Sequence, residues 1–149
     1  MIFSNKPEVL NLETYVDDRG VLSFSNKLDL SSVKRFYTVQ NFQKNFIRAW
    51  HAHKKETKIF ILLQGAFLIS CVKIDNWKKP SKKSKVYKFF TSDENKKIIF
   101  VPSSYANGFM SLRDDSALLV LSNKSISDST EDDFRFDSHY WDPWSIIER

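Results

Sequence analysis

Short apolar runs, some alternating with polar residues and some continuous, recur along the chain with turn residues between them. The clearest are Val33 to Val39, Lys58 to Leu63, Ala66 to Ile74, Val86 to Phe90, Ile98 to Val101 and Ala117 to Ser122, filled by Phe, Ile, Val, Leu and Tyr. β-Branched and aromatic side chains suit a pleated, half-buried surface, so each run predicts a strand. The breaks fall at Asp18-Arg19-Gly20, Gln64-Gly65, Lys79-Pro80-Ser81 and Pro102-Ser103-Ser104, where glycine, proline and small polar side chains turn the chain. Apolar positions at helical spacing are nearly absent. Many short strands with regular breaks predict an all-β sandwich or barrel. From Asp128 to Arg149 a run of acids gives way to Phe134, Phe136, Tyr140, Trp141 and Trp144 with no clear period. That stretch is expected to pack as a lid or as part of a dimer contact.

The 149 residues fit one domain, spanning 1–149, with a core large enough to fold without staples. The single cysteine, Cys71, excludes a disulfide within the chain and, inside an apolar run, is expected to pack as a small hydrophobe. The N-terminal stretch Met1 to Lys6 lacks the apolar core of a leader, and charges interrupt every run long enough to cross a bilayer. A cytoplasmic protein without membrane contact is the expectation. The net charge of +5 comes largely from Lys78, Lys79, Lys82, Lys83 and Lys85 around Pro80. Trp77 and Tyr87 only bracket this loop and do not interleave with it, so it reads as a solvated face and nucleic acid is not expected as a partner.

Candidate chemistry concentrates in Ile47-Arg48-Ala49-Trp50-His51-Ala52-His53-Lys54. If this is a strand, His51 and His53 share one face and Trp50 points to the other, into the core. Two imidazoles rimmed by Arg48 and Lys54 suit either a metal or an anionic substrate whose protons must be moved. Alternation from Val33 likewise puts Arg35 and Tyr37 on one face and Lys34 and Phe36 on the other. Against a metal, only His51 and His53 fit as ligands, with Glu56 nearby. A catalytic metal needs about three good protein ligands plus an open position, so none is expected. His139, in the aromatic tail, is expected at a surface or interface.

The run Arg48 to Lys54, the upstream Asp18-Arg19-Gly20, the strand Lys34-Arg35-Phe36-Tyr37 and the downstream Pro102-Ser103-Ser104-Tyr105-Ala106-Asn107-Gly108-Phe109 resemble the cupin-fold enzymes acting on nucleotide-linked 4-keto-6-deoxy sugars. The resemblance runs from about Asp18 to about Asp137 and implies a cupin double-stranded β-helix, or jelly roll. Two branches are similar: the dTDP-4-dehydrorhamnose 3,5-epimerases and the dTDP-4-keto-6-deoxyglucose 3,4-ketoisomerases. Arg48 and His51 match the epimerase pattern, but His53 departs from it, Asn107 replaces the epimerase histidine, and no tyrosine lies in Leu119 to Ser122 where the epimerase acid would fall. His-Ala-His-Lys and Tyr37 are similar to the ketoisomerases. Asp133-Phe134-Arg135-Phe136-Asp137 and Tyr105 to Phe109 look more epimerase-like, which keeps that branch, and a non-catalytic sugar-binding cupin, as alternatives.

The resemblance implies a dTDP-linked 4-keto-6-deoxyhexose as substrate, deoxysugar biosynthesis as setting, a homodimer and no cofactor. A C4 ketone acidifies the C3 hydrogen, and one histidine, His51, shuttles that proton from C3 to C4 through an enediol. Tyr37 and His53 are the further catalytic candidates, stabilising developing charge by hydrogen bonding. Arg48 is placed on the pyrophosphate, where a guanidinium meets paired oxygens. Arg19 and Lys54 are further substrate contacts, with Tyr105 and Asn107 on sugar or base.

Overall fold

The computed structural model describes residues 4–149, so Met1, Ile2 and Phe3, part of the N-terminal stretch read above, lie outside the described residues. In chain order the strands are β1 (Glu8–Asn11), β2 (Glu13–Asp17), β3 (Gly20–Phe24), β4 (Arg35–Asn41), β5 (Ile47–Ala52) and β6 (Lys58–Gln64). They continue with β7 (Ala66–Lys73), β8 (Val86–Ser92), β9 (Lys97–Val101), β10 (Tyr105–Ser111) and β11 (Ser116–Ser122), then helix α1 (Ile126–Glu131) and β12 (Phe134–Arg135). All six sequence-predicted runs are strands, with shifts at their ends: the first begins at Arg35, because Val33 packs outside the sheet instead.

Two five-stranded antiparallel sheets, β1-β9-β6-β11-β4 and β12-β5-β10-β7-β8, face one another, and β2-β3 forms a separate hairpin. This is the expected all-β jelly roll. Phe60, Leu62, Phe67, Ile69, Cys71, Ile99, Val101, Phe109, Leu118 and Val120 fill the space between the sheets, with Tyr37 and Tyr87 packed against them. Leu68 and Val72, on the other face of β7, are also buried, under Trp141 and Trp144 from the C-terminal stretch. Coverage of both faces explains why β7 reads as a continuous apolar run rather than an alternating one.

The C-terminal stretch therefore covers its own barrel. Trp50, placed in the core from the sequence, is fully buried between the rings of Trp141 and Trp144, with centroids 5.3 and 5.2 Å away, and its indole Nε1–H donates to the Trp141 carbonyl at 3.0 Å. Burying side chains of this size stabilises by at least roughly 1.5–3 kcal/mol each. In keeping with the near absence of helical spacing, α1 is a short helix of six residues, capped by Ser125, whose side chain accepts from Asp128 N–H. Among the described residues no helix is long and apolar enough to cross a membrane.

Candidate functional site

The geometry around His51 follows from how β5 meets its neighbours. Asn107 of β10 lies opposite His51 and Phe109 opposite Arg48, so β5 carries one residue more than β10 over this interval and bulges. Bulges bend a strand and re-aim its side chains. Gly108 sits inside the irregularity, where a Cβ would collide with that of Ala49; a side chain there would push the two strands apart. On the other edge β12 pairs with β5, setting Arg135 opposite His51. Asn107 Nδ2 donates to the His51 carbonyl at 3.1 Å. The backbone of His51 is thus held from both sides, while its ring stays half-exposed.

His51 Nδ1 lies 3.8 Å from Asp133 Oδ1, and Asp133 is itself held by Arg135 Nε at 2.9 Å. Burial, and then the positive charges of Lys58 and Arg135, pull the His51 imidazolium down to a pKa of about 4, against an opposing pull from Asp133. At neutral pH the ring is uncharged and holds a free lone pair, the state a general base requires. Lys58, the first residue of β6, is buried; burial lowers its pKa, while Glu56 and Asp133 favour its charged form. Tyr37 is pushed up to about 12 by burial and then by the Glu56 carboxylate, which keeps its phenol protonated. The Arg35 guanidinium stands 5.2 Å from the centre of the Tyr37 ring.

The alternation expected to bring both imidazoles to one face ends at Ala52, the last residue of β5. His53 follows the strand and is buried. Its Nδ1–H donates to the Asp132 carbonyl and lies 3.1 Å from Glu56 Oε2. Glu56 is the residue the sequence reading set aside. Its fully buried carboxylate accepts from Arg35 Nη2 at 3.0 Å, from Ser122 Oγ, and from Ser129 Oγ at 2.8 Å. Among the described residues no three His, Cys, Asp or Glu side chains converge as a metal set; the cluster around His53 and Glu56 is a hydrogen-bond network.

The structure places the expected ligand contacts as follows. Arg48 is exposed, its Nε donating to Asn41 Oδ1 at 2.8 Å and its guanidinium 5.6 Å from the Phe46 ring, towards the end of β4 remote from Arg35. Lys54 stacks its ammonium on Trp77 and Phe134, 5.3 and 5.2 Å from their ring centres. Tyr105 is buried, edge-on to Tyr87 at 6.2 Å, its hydroxyl on the Asn5 carbonyl at 3.4 Å. Arg19 sits at the exposed tip of the β2-β3 hairpin, bonded to Asp17, and does not meet His51 within the chain. His139 is exposed and pairs with Asp142 at 3.0 Å, as the surface reading expects. Arg35, Glu56, Lys58 and Asp133 are site residues that sequence reasoning gave no role, although Glu56 was weighed as a metal ligand and Asp133 opens the Asp133 to Asp137 segment of the resemblance. Arg35 also carried a signal, its shared face with Tyr37, and Lys58 carried none.

Two five-stranded antiparallel sheets packed face to face define a cupin-type jelly roll. The chain belongs to the FdtA family, described as WxcM-like, C-terminal, whose model matches residues 5–141. No curated protein sequence matches it. Among solved structures, the dTDP-4-dehydrorhamnose 3,5-epimerase of Bacillus anthracis str. Ames, determined with TDP and PPi bound, is 21% identical at a TM-score of 0.76, over 99% of this chain and 90% of that one. QdtA, a sugar 3,4-ketoisomerase from Thermoanaerobacterium thermosaccharolyticum in complex with TDP, is 22% identical at 0.64, over 95% of each chain. A 3,4-ketoisomerase from Helicobacter canadensis is 18% identical at 0.68, over 92% and 96%. At these identities the likeness is one of fold.

Proposed function

We propose that the protein is an isomerase of a dTDP-linked 4-keto-6-deoxyhexose, and specifically a 3,4-ketoisomerase. The observation that carries this reading is the uncharged imidazole of His51 beside Asp133, with Lys58 and Tyr37 at the same end of the barrel. His51, with Nδ1 turned to Asp133, takes the C3 proton on Nε2. The C3–H electron pair becomes the C3=C4 bond, and charge moves to O4, where the Lys58 ammonium and the Tyr37 hydroxyl stabilise it. His51 then returns the proton to C4 while the O3 hydroxyl proton passes to the Tyr37 oxygen as the latter gives its own to O4, leaving a ketone at C3. Atoms and charge balance with no added reactant.

The ketoisomerase is favoured over the epimerase by the strand beside Tyr37. In β11 the inward residues are Leu118 and Val120, and Val120 is the register partner of Tyr37. Epimerisation needs an acid on the opposite face of each carbon, and this strand supplies none. The test is a time course in deuterated water with dTDP-4-keto-6-deoxyglucose, followed by NMR. The expected outcome is a 3-keto product with solvent exchange at the C3–C4 positions and none at C5. Deuterium at C5 with inversion would make it an epimerase, and binding without exchange would make it a sugar-binding cupin.

The pH profile gives a second test. An ordinary imidazole loses its base form below about 6.5, whereas His51, depressed to about 4, keeps it through mildly acidic pH. The acid limb of kcat/KM, which reports the free enzyme, is expected well below 6. Tyr37, raised to about 12, contributes no basic limb below pH 10. An acid limb at or above 6.5 would remove His51 from the role of base.

The homodimer belongs to the same proposal. Tyr15 and Leu22 on one face of the hairpin, and Val16 and Val21 on the other, are all more than half exposed. An isolated two-stranded ribbon is marginal in water, so a second copy of the chain is the expected cover. Light scattering should give twice the monomer mass, and Val21→Lys with Leu22→Glu should give the monomer; a monomeric parent would refute it.

A further inference from the structure

The carboxylate of Glu56 joins four parts of the chain that the proposed proton transfer needs in register. It accepts from Arg35 of β4, from Ser122 at the end of β11 and from Ser129 of α1, and His53 after β5 brings its Nδ1 to 3.1 Å from it. Arg35 Nη2 also donates to Ser129 Oγ at 3.0 Å. The helix held through Ser129 leads directly into Asp132, whose side chain accepts from the Lys54 and Lys55 amides at 2.9 and 2.8 Å, and then into Asp133 and β12. Helix α1 is only six residues long and Ser129 is its buried residue, so little apolar contact fixes it. Its seat on the barrel rests on the polar network.

We propose that Glu56 is a positioning residue: by clamping α1 through Ser129 it sets Asp133 and β12 against His51, and so places the base without touching substrate. This rests on the isomerase reading above only for its effect on turnover. A buried carboxylate with three donors, one of them a guanidinium, has no full substitute among neutral side chains. The oxygen of a glutamine could still accept from Arg35 and Ser122, and the Ser129 hydroxyl could turn to accept from its NH2, but the Arg35 charge would lose its buried counter-charge and the NH2 would face the His53 Nδ1–H. Loosening the clamp lets water reach His51 and moves Asp133 away.

The experiment compares Glu56→Gln, Ser129→Ala, Ser129→Thr and, as a control on the exposed side of α1, Glu131→Ala. His51 is followed by NMR titration in the substrate-free protein, and kcat, KM and dTDP affinity are measured alongside. Lys58, Arg135, Asp133 and His53 are the charged and titratable groups facing His51; retreat of Asp133 alone would lower its midpoint, but entry of water and retreat of Arg135 with β12 both raise it, and because burial is the largest influence the net movement should be up towards the ordinary imidazole value. Glu56→Gln and Ser129→Ala are expected to raise that midpoint and to lower kcat tenfold or more with dTDP affinity within twofold. Ser129→Thr, which keeps the hydroxyl, should restore both, and Glu131→Ala should change neither. If Glu56→Gln does not fold, Ser129→Ala decides. An unmoved His51 midpoint in folded Ser129→Ala overturns the proposal. The titration needs no turnover, so a protein inactive on every dTDP-keto sugar would refute the isomerase reading while leaving the clamp to be judged by NMR.

Discussion

Replacing His51 by asparagine is expected to lower turnover by about 10²–10⁴-fold, the range over which a positioned general acid–base contributes. The ring is half-exposed and its strand is held by backbone bonds to β10 and β12, so the substitution leaves the fold intact. Asparagine is close in shape and keeps a polar atom near Asp133, but it has no group that accepts a proton near neutral pH. The loss should therefore fall on kcat, because proton abstraction occurs only in the transition state, while dTDP binding stays within a few fold. Measured kcat and dTDP affinity check this together. Near-parental turnover would take His51 out of the mechanism, and a parallel collapse of dTDP affinity would assign it to binding.

How much of this could be read from the chain depended on whether a feature is local. Strands β6, β7 and β9 have an apolar face or two, so their composition announced them. Strands β2 and β3 carry exposed apolar residues on both faces, Tyr15 and Leu22 on one and Val16 and Val21 on the other, so no alternation marks them, and β10 carries buried Asn107 and Ser111 among its apolar residues, which breaks its apolar pattern. Helix α1 is too short for a 3.6-residue period to register. In the site, His51 was visible by residue type and Tyr37 by its face of β4. His53 was paired with His51 on the assumption that β5 continued; the chain turns after Ala52 to hand that imidazole to Glu56 and Asp132. The partners of Glu56 lie as far as 73 positions away, at Ser129, and no local pattern signals a bond of that span. Lys58 looked like the polar edge of an apolar run, and its burial beside Asp133 exists only once β6 and the C-terminal stretch are assembled.

Lys58→Met is expected to lower kcat by about 10²–10³-fold, the cost of removing one preorganised donor from a developing oxyanion, with KM little changed. In the proposed reaction the negative charge on O4 exists only as C3–H breaks, so the ammonium acts on the transition state far more than on the bound ketone. Burial concentrates the effect, since a charge kept from water acts through a low effective dielectric. The same burial makes the stability outcome opposite to that of an ordinary core substitution. Methionine fills nearly the same space without a desolvated charge. Glu56 keeps Arg35, Ser122, Ser129 and His53 as partners, and Asp133 keeps Arg135. Tm should hold steady or rise while kcat falls. Thermal denaturation and steady-state kinetics on one preparation separate the possibilities: an unchanged kcat would reduce Lys58 to a structural residue, and a large drop in Tm would show that its charge holds the barrel end together.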